Sequence, residues 1–214
     1  MNVKGENMAI APNGTERAAP RRLIVGLTGA SGIVYGIEVL KALRAAGVET
    51  HLVMSKAAEM TLAYETELKA RDVRDLADHS YAIGDVGAPC SSGSFASDGM
   101  IVAPCSMKTL AEIATGVTST LLSRAADVVL KERRRLVLLT RETPLTQVHL
   151  QNMLSVTQMG GVIAPPVPAF YARPESLDDM VAHTVGRALD LFGIETGGVK
   201  RWKEETPGAD RSAV

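Results

Sequence analysis

Leu23-Ile24-Val25-Gly26-Leu27-Thr28-Gly29-Ala30-Ser31-Gly32 is the stretch, residues 23–32, that decides the fold. A short β-favouring apolar run breaks into a turn of small residues, and Ile33, Ile37, Leu40 and Leu43 then recur at helical spacing until Gly47. The alternation continues outward. Strands are expected at 50–54, 99–103, 136–139 and 161–164, and helices at 55–68, 73–78, 107–114, 121–133 and 146–159. A last helix starts at a Ser176-x-x-Asp179 capping pattern and carries Val181, Val185, Ala188 and Phe192. The strands are continuously apolar, so both faces of their sheet must be covered. This predicts a three-layer α/β/α fold with a mainly parallel sheet, one domain over 22–202, a flexible lead at 1–21 and a tail at 203–214.

Composition excludes several functions. Across 214 residues, 23 basic and 24 acidic side chains give a net charge of −1, so no global field holds nucleic acid or an anionic membrane. Three Phe, four Tyr and one Trp are too few for a platform of stacked bases, while 46% apolar content is far from the signature of disorder. Cys90 and Cys105 lie apart, and His51, His79, His149 and His183 form no close pair in sequence, so no metal-ligand spacing is readable. The first 22 residues hold no apolar signal core, and no run of 18 apolar residues occurs. The expectation is a soluble protein of a reducing compartment, placed in the cytoplasm.

In a parallel sheet of this kind ligands bind at the carboxyl ends of the strands, where the order of strands reverses. Gly26, Gly29 and Gly32 are spaced G-x-x-G-x-x-G, and Ser55 stands where a dinucleotide site would want an acid for a ribose. The turn therefore suits a mononucleotide better than a dinucleotide, with its phosphate on the free N–H groups of the following helix; a tight turn without a ligand has the same pattern. Hydroxyls recur at other strand ends, at Ser55-Lys56, at Ser106-Met107-Lys108-Thr109 and in the loop from Ser91 to Ser94. Each alone is an ordinary helix cap, but together they outline a polar, uncharged pocket.

The charged run 124–135 reads first as a solvated helix face. Arg124 and Lys131, seven apart, nevertheless share a side of that helix, and Arg141-Glu142 follows the next strand at its carboxyl end. These can form a second anion site, with Glu142 available to orient cations or move a proton. Glu65, Tyr171, Arg187 and Trp202 are further candidates, although a surface acid is the simpler reading of Glu65 and a core role that of Phe170 and Trp202.

The segments GLTGASG (26–32), SKAAE (55–59), SSGSF (91–95), APCSMKTLAEIA (103–114), SRAADVVLKERR (123–134), RETPL (141–145), HLQNML (149–154) and PPVPAFY (165–171) resemble the UbiX-type flavin prenyltransferases, a flavodoxin/Rossmann-like flavoprotein group. The resemblance implies transfer of a dimethylallyl group from dimethylallyl monophosphate to N5 and C6 of reduced FMN, without a metal. The prenylated FMN then serves a UbiD-type decarboxylase. It implies that Gly29, Ala30, Ser31, Ser55, Ser106, Met107, Lys108, Thr109 and Arg141 hold FMN. Tyr171, Arg187, Arg124 and Lys131 would hold the prenyl phosphate, with Glu142 beside them. Ser31 and Glu65 would relay protons at N5, and Trp202 would shield an allylic cation. A homo-oligomer, a dodecamer in relatives, is implied as well. Ser119-Thr120 stands where relatives often carry Asn, and Met107-Lys108 is bulkier than in some of them. Two alternatives share the fold, an FMN-dependent cysteine decarboxylase and a flavodoxin-like FMN-binding electron carrier. The first typically has an early histidine that this chain lacks before His51, and the second has no use for a second phosphate site.

Overall fold

The structure is a computed structural model describing residues 21–202. The tail expected at 203–214 and the lead expected at 1–21 lie outside it, except for Arg21. That residue is tied down: its guanidinium donates to the carbonyls of Phe192 (2.5 Å) and Gly193 (2.8 Å).

Six strands, β1 (Arg22–Leu27), β2 (Glu49–Met54), β3 (His79–Tyr81), β4 (Gly99–Cys105), β5 (Arg135–Thr140) and β6 (Val162–Ile163), form one sheet in the order β3-β2-β1-β4-β5-β6. Every neighbouring pair is parallel. The chain builds outward from β1 to β3, then crosses to β4 and builds the other way, so the order reverses between β1 and β4. The connecting helices are α1 (Ile33–Ala45), α2 (Lys56–Glu65), α3 (Ala70–Arg74), α4 (Met107–Thr115), α5 (Leu121–Lys131), α6 (Gln147–Gln158) and α7 (Leu177–Asp190).

Alternation along each strand divides the core in two. Leu23, Val25, Leu27, Leu52 and Met54 face α1, α2 and α7, where they meet Leu40, Leu62, Val185 and Leu189. Ile24, Val53, Met100 and Val102 face α4, α5 and α6, against Leu110, Leu122, Val129 and Val156. α5 and α7 thus cover opposite faces of the sheet.

Several expectations change; the helix expected at 73–78 sits earlier, at Ala70–Arg74. β3 carries no apolar run and was not foreseen; a hook forms it, because Thr50 N and Oγ1 donate to Asp78 Oδ2 (2.7 and 2.8 Å) and Asp78 N donates back to Thr50 Oγ1 (2.9 Å). The helix expected at 55–68 stops at Glu65, where Thr66 turns extended. The helix expected at 121–133 stops at Lys131, and Arg133 follows in the left-handed region at φ 57°. No helix among the described residues is long and apolar enough to cross a membrane.

Candidate active site

The carboxyl ends of β1, β2 and β4 converge on a cavity of about 480 Å³, within the usual size of small-molecule sites. Gly29, Ser55, Ser106, Lys108 and Thr109 line it, as do Thr28 and Thr120, to which the sequence gave no ligand role, and Ile83, which it did not single out. Thr28 pins the reversal point: its hydroxyl donates to Pro104 O (2.7 Å) and accepts from Ser106 N (2.8 Å), locking the end of β1 to the end of β4. Ser55 caps α2 by accepting from Ala58 N (3.1 Å), and Ser106 caps α4 by accepting from Thr109 N (3.3 Å). These caps aim two helix N-termini at the cavity, which suits an anionic ligand. Gly29 is needed for close packing here, since a Cβ on it would lie 2.4 Å from the Ala57 methyl.

Ala30 is buried beside this wall, and Met107 packs partly against the α4–α5 side of the core. Lys108 is held by Glu112 (2.6 Å), which also accepts from Ser119 (2.7 Å), while Thr120 caps α5. The Ser119-Thr120 departure thus supplies a cap and a cation anchor. At the end of β5 the buried Thr140 hydroxyl has no hydrogen-bond partner among the described residues. Hydroxyls and two capped helix ends around a largely apolar wall, with Lys56 and Lys108 at its edge where an uncharged lining was expected, fit the phosphate, ribityl chain and ring of a flavin mononucleotide.

The N-terminus of α1 behaves differently from expectation. Glu65, at the end of α2, reaches across and accepts from Gly32 N (2.9 Å) and Ile33 N (2.9 Å). A carboxylate therefore fills the place that the glycine turn offered to a phosphate, which leaves the α2 and α4 ends facing the cavity. Burial works against the Glu65 charge, but the Ser31 hydroxyl, the two backbone N–H groups and the Arg141 cation outweigh it and hold the carboxyl below its ordinary range. The Ser31 hydroxyl thus lies within hydrogen-bonding reach of Glu65. Burial conversely raises the Tyr35 hydroxyl, against the pull of Arg141, so Tyr35 is another neighbour of Arg141 that the sequence did not reveal.

Glu65→Gln is expected to cost about 1 kcal/mol of stability, as loss of a helix cap does. Because the folded-state carboxyl titrates below its unfolded value, the difference from wild type is full above the ordinary glutamate range, near pH 4.3, and fades as pH falls through the lower folded value. Urea melts of both proteins at several pH values check this.

Tyr171, Arg187 and Trp202 gather near the carboxyl ends of β5 and β6. Tyr171 and Arg187 line a smaller cavity of about 220 Å³ with His183 and Thr184. The Tyr171 ring meets Trp202 edge-on at 5.6 Å and His183 at 5.7 Å. Asp190 orients the cations, accepting from Arg187 (2.6 Å) and Arg201 (3.1 Å). Arg124 and Lys131 sit elsewhere, on α5: Arg124 bonds Asp127 (2.7 Å) and the Ser91 carbonyl (3.2 Å), and Lys131 pairs with Glu132 beside Gly93. Arg141 and Glu142 follow β5, exposed, with Glu142 accepting from Thr143 N (3.0 Å). One chain therefore does not assemble Arg124, Lys131 and Arg187 into a single cluster, because α5 and α7 cover opposite faces.

Burial pushes the Cys90 thiol up to about 11 and raises Cys105 as well, so neither supplies a thiolate nucleophile.

The flavoprotein family model matches residues 12–189. A probable UbiX-like flavin prenyltransferase of Bacillus subtilis is 58% identical over 181 residues, covering 85% of this chain and 89% of its own. The flavin prenyltransferase UbiX of Neisseria meningitidis is 58% identical over 183 residues, covering 86% and 97%. The crystal structure of AnUbiX (PadA1) with FMN and dimethylallyl pyrophosphate superposes with a TM-score of 0.86 at 58% identity, covering 87% of this chain and all of that one. The chain belongs to the UbiX-type flavin prenyltransferases. A dodecameric FMN-dependent UbiX-like decarboxylase of Escherichia coli O157:H7 follows at TM-score 0.83 and 55% identity, covering 86% of this UbiX-type chain and all of its own. The FMN-dependent cysteine decarboxylase SpaF, at 20% identity and TM-score 0.56, shares only the fold with it.

Proposed function

We propose that this chain transfers the dimethylallyl group of dimethylallyl monophosphate to FMN, and that the prenylated flavin is passed to a UbiD-type decarboxylase. The observation that carries this is the hydroxyl-lined cavity at the strand-order reversal, beside the Ser31–Glu65 pair, in a chain so similar to a protein crystallised with FMN and a dimethylallyl phosphate ester. Reduced FMN supplies the electron-rich N5 and C6 to which the allyl carbons attach.

The chain's own residues bind and orient. Ser55, Ser106 and Thr109, with Arg141, hold the flavin; Gly29 and Ala30 allow its close approach, and Met107 and Lys108 flank it. Ser31 passes a proton between the flavin N5 and Glu65, whose ionised carboxylate accepts it. Tyr171 and Arg187, with Arg124 and Lys131, hold the phosphate, and concentrated positive charge there favours breaking of the allylic C–O bond. Glu142 orients these cations, and the Trp202 ring face shields positive charge on the allyl carbons.

Because α5 and α7 lie on opposite faces, Arg124 and Lys131 reach a phosphate on Arg187 when they come from a neighbouring copy. A homo-oligomer is therefore part of the proposal, a dodecamer by likeness to the Escherichia coli relative. Val148, Leu150 and Leu154 on α6 are more than half exposed and are suited to such an interface. Leu150→Asp with Leu154→Asp is expected to shift the protein to smaller assemblies in light scattering and to lower turnover in step. The two unpaired, buried cysteines support a reducing compartment, here the cytoplasm.

The test is anaerobic: enzyme, reduced FMN and dimethylallyl monophosphate should release one inorganic phosphate per flavin, and omission of flavin should abolish release. The diphosphate donor in parallel shows whether the site prefers one phosphate. Flavin that binds and is reduced without any phosphate release refutes the proposal and favours a simple FMN carrier.

A further inference from the structure

The four histidines are distant in sequence, yet the fold brings two of them together far from the flavin cavity. Parallel pairing of β2 with β3 sets His51 opposite His79, and their rings stack with centroids 4.7 Å apart. Glu49, two residues before His51 on the same side of β2, sends one carboxylate oxygen to both rings: Oε1 lies 2.9 Å from His51 Nε2 and 3.5 Å from His79 Nε2. The three ligand atoms lie within 4.8 Å of one another. Ligands bound at about 2.0–2.1 Å around a tetrahedral zinc stand roughly 3.3 Å apart, so the spacing already approaches that of a filled site.

The surroundings complete the pattern. His51 is buried, and its Nδ1 lies 2.8 Å from the Tyr81 hydroxyl, which fixes the ring and leaves Nε2 facing Glu49 and His79. Phe95 packs edge-on against the same ring at 4.7 Å. Arg22 donates to the other Glu49 oxygen, Oε2, at 3.0 Å, so that carboxylate is held with Oε1 toward the imidazoles. The His79 side chain is 52% exposed, which gives an ion a path in and leaves a coordination position toward solvent. Ser55 lies four residues beyond His51 along β2, roughly 13 Å away, so the cluster is separate from the flavin cavity.

We propose that Glu49, His51 and His79 form a binding site for Zn²⁺, with two imidazole nitrogens and one carboxylate oxygen as ligands and water in the fourth position. Imidazole and carboxylate suit zinc, whereas magnesium, which needs six oxygens, finds no such set here. The ion ties the short edge strand β3 to β2. This role is structural and leaves prenyl transfer to the other end of the sheet.

The test uses the whole FMN-bound protein, stripped with a chelator and titrated with zinc chloride by calorimetry. The expected result is one zinc per chain, an absorption-edge spectrum with two histidine nitrogens near 2.0 Å, and a thermal midpoint that rises with zinc. Tyr81→Phe, which removes only the ring's anchor, should weaken zinc about 10- to 100-fold. His79→Gln should weaken it further and abolish the thermal shift, with its phosphate release intact. His149→Gln, at a half-buried histidine outside the cluster, should leave zinc uptake unchanged. Absence of stoichiometric zinc uptake, or uptake that survives His79→Gln unchanged, overturns the proposal.

Discussion

Arg187→Ala is expected to lower prenyl transfer about 10³-fold while FMN affinity stays within a factor of two or so, because one charge-stabilising donor at a reacting group is worth that much. Arg187 lines the small cavity with Tyr171, and Asp190 fixes its guanidinium at 2.6 Å. The flavin cavity is lined by other residues, from the ends of β1, β2 and β4. Lys131→Ala should act in the same direction, since Lys131 also lies outside that cavity. Stopped-flow fluorescence measures flavin binding and phosphate release measures turnover. If either variant loses FMN, the division into a flavin site and a phosphate site is wrong.

Gly36→Ala carries the largest expected cost in stability. Gly36 is buried on α1, and a methyl there would lie 2.0 Å from Leu27 Cδ2 and 2.3 Å from the Ala103 carbonyl oxygen. The leucine can shift, but the carbonyl belongs to β4 and cannot. The helix would have to lift from the β1–β4 crossing that shapes the cavity, an overpacking cost of about 3 kcal/mol. Thermal unfolding should move down by roughly 6–12 °C for a domain of this size. An unchanged midpoint would show that α1 is less tightly seated than its contacts imply.

Much of this architecture was legible because it rests on local patterns. The run from Leu23 to Gly32 announces strand, turn and helix, and Ser55 and Ser106 stand directly where helix caps belong. What escaped depends on contacts between distant residues. β3 has the sequence His79-Ser80-Tyr81, with no apolar signal, and exists because Asp78 hooks Thr50. The α1 N-terminus looked open to a phosphate, yet a carboxylate 33 residues downstream occupies it. Seven-residue spacing correctly put Arg124 and Lys131 on one helix, but spacing says nothing about which face of the sheet that helix covers. Tyr35 and Thr28 were in view as residues of the opening stretch and its helix; only the folded contacts reveal what they do.

The most direct test of prenyl transfer is the mass of the flavin itself. After anaerobic incubation with reductant, FMN and dimethylallyl monophosphate, flavin extracted from the protein should be heavier than FMN by one C5 prenyl unit, and omission of the donor should leave it unchanged. FMN recovered at its original mass, after demonstrable binding and reduction, would contradict the account.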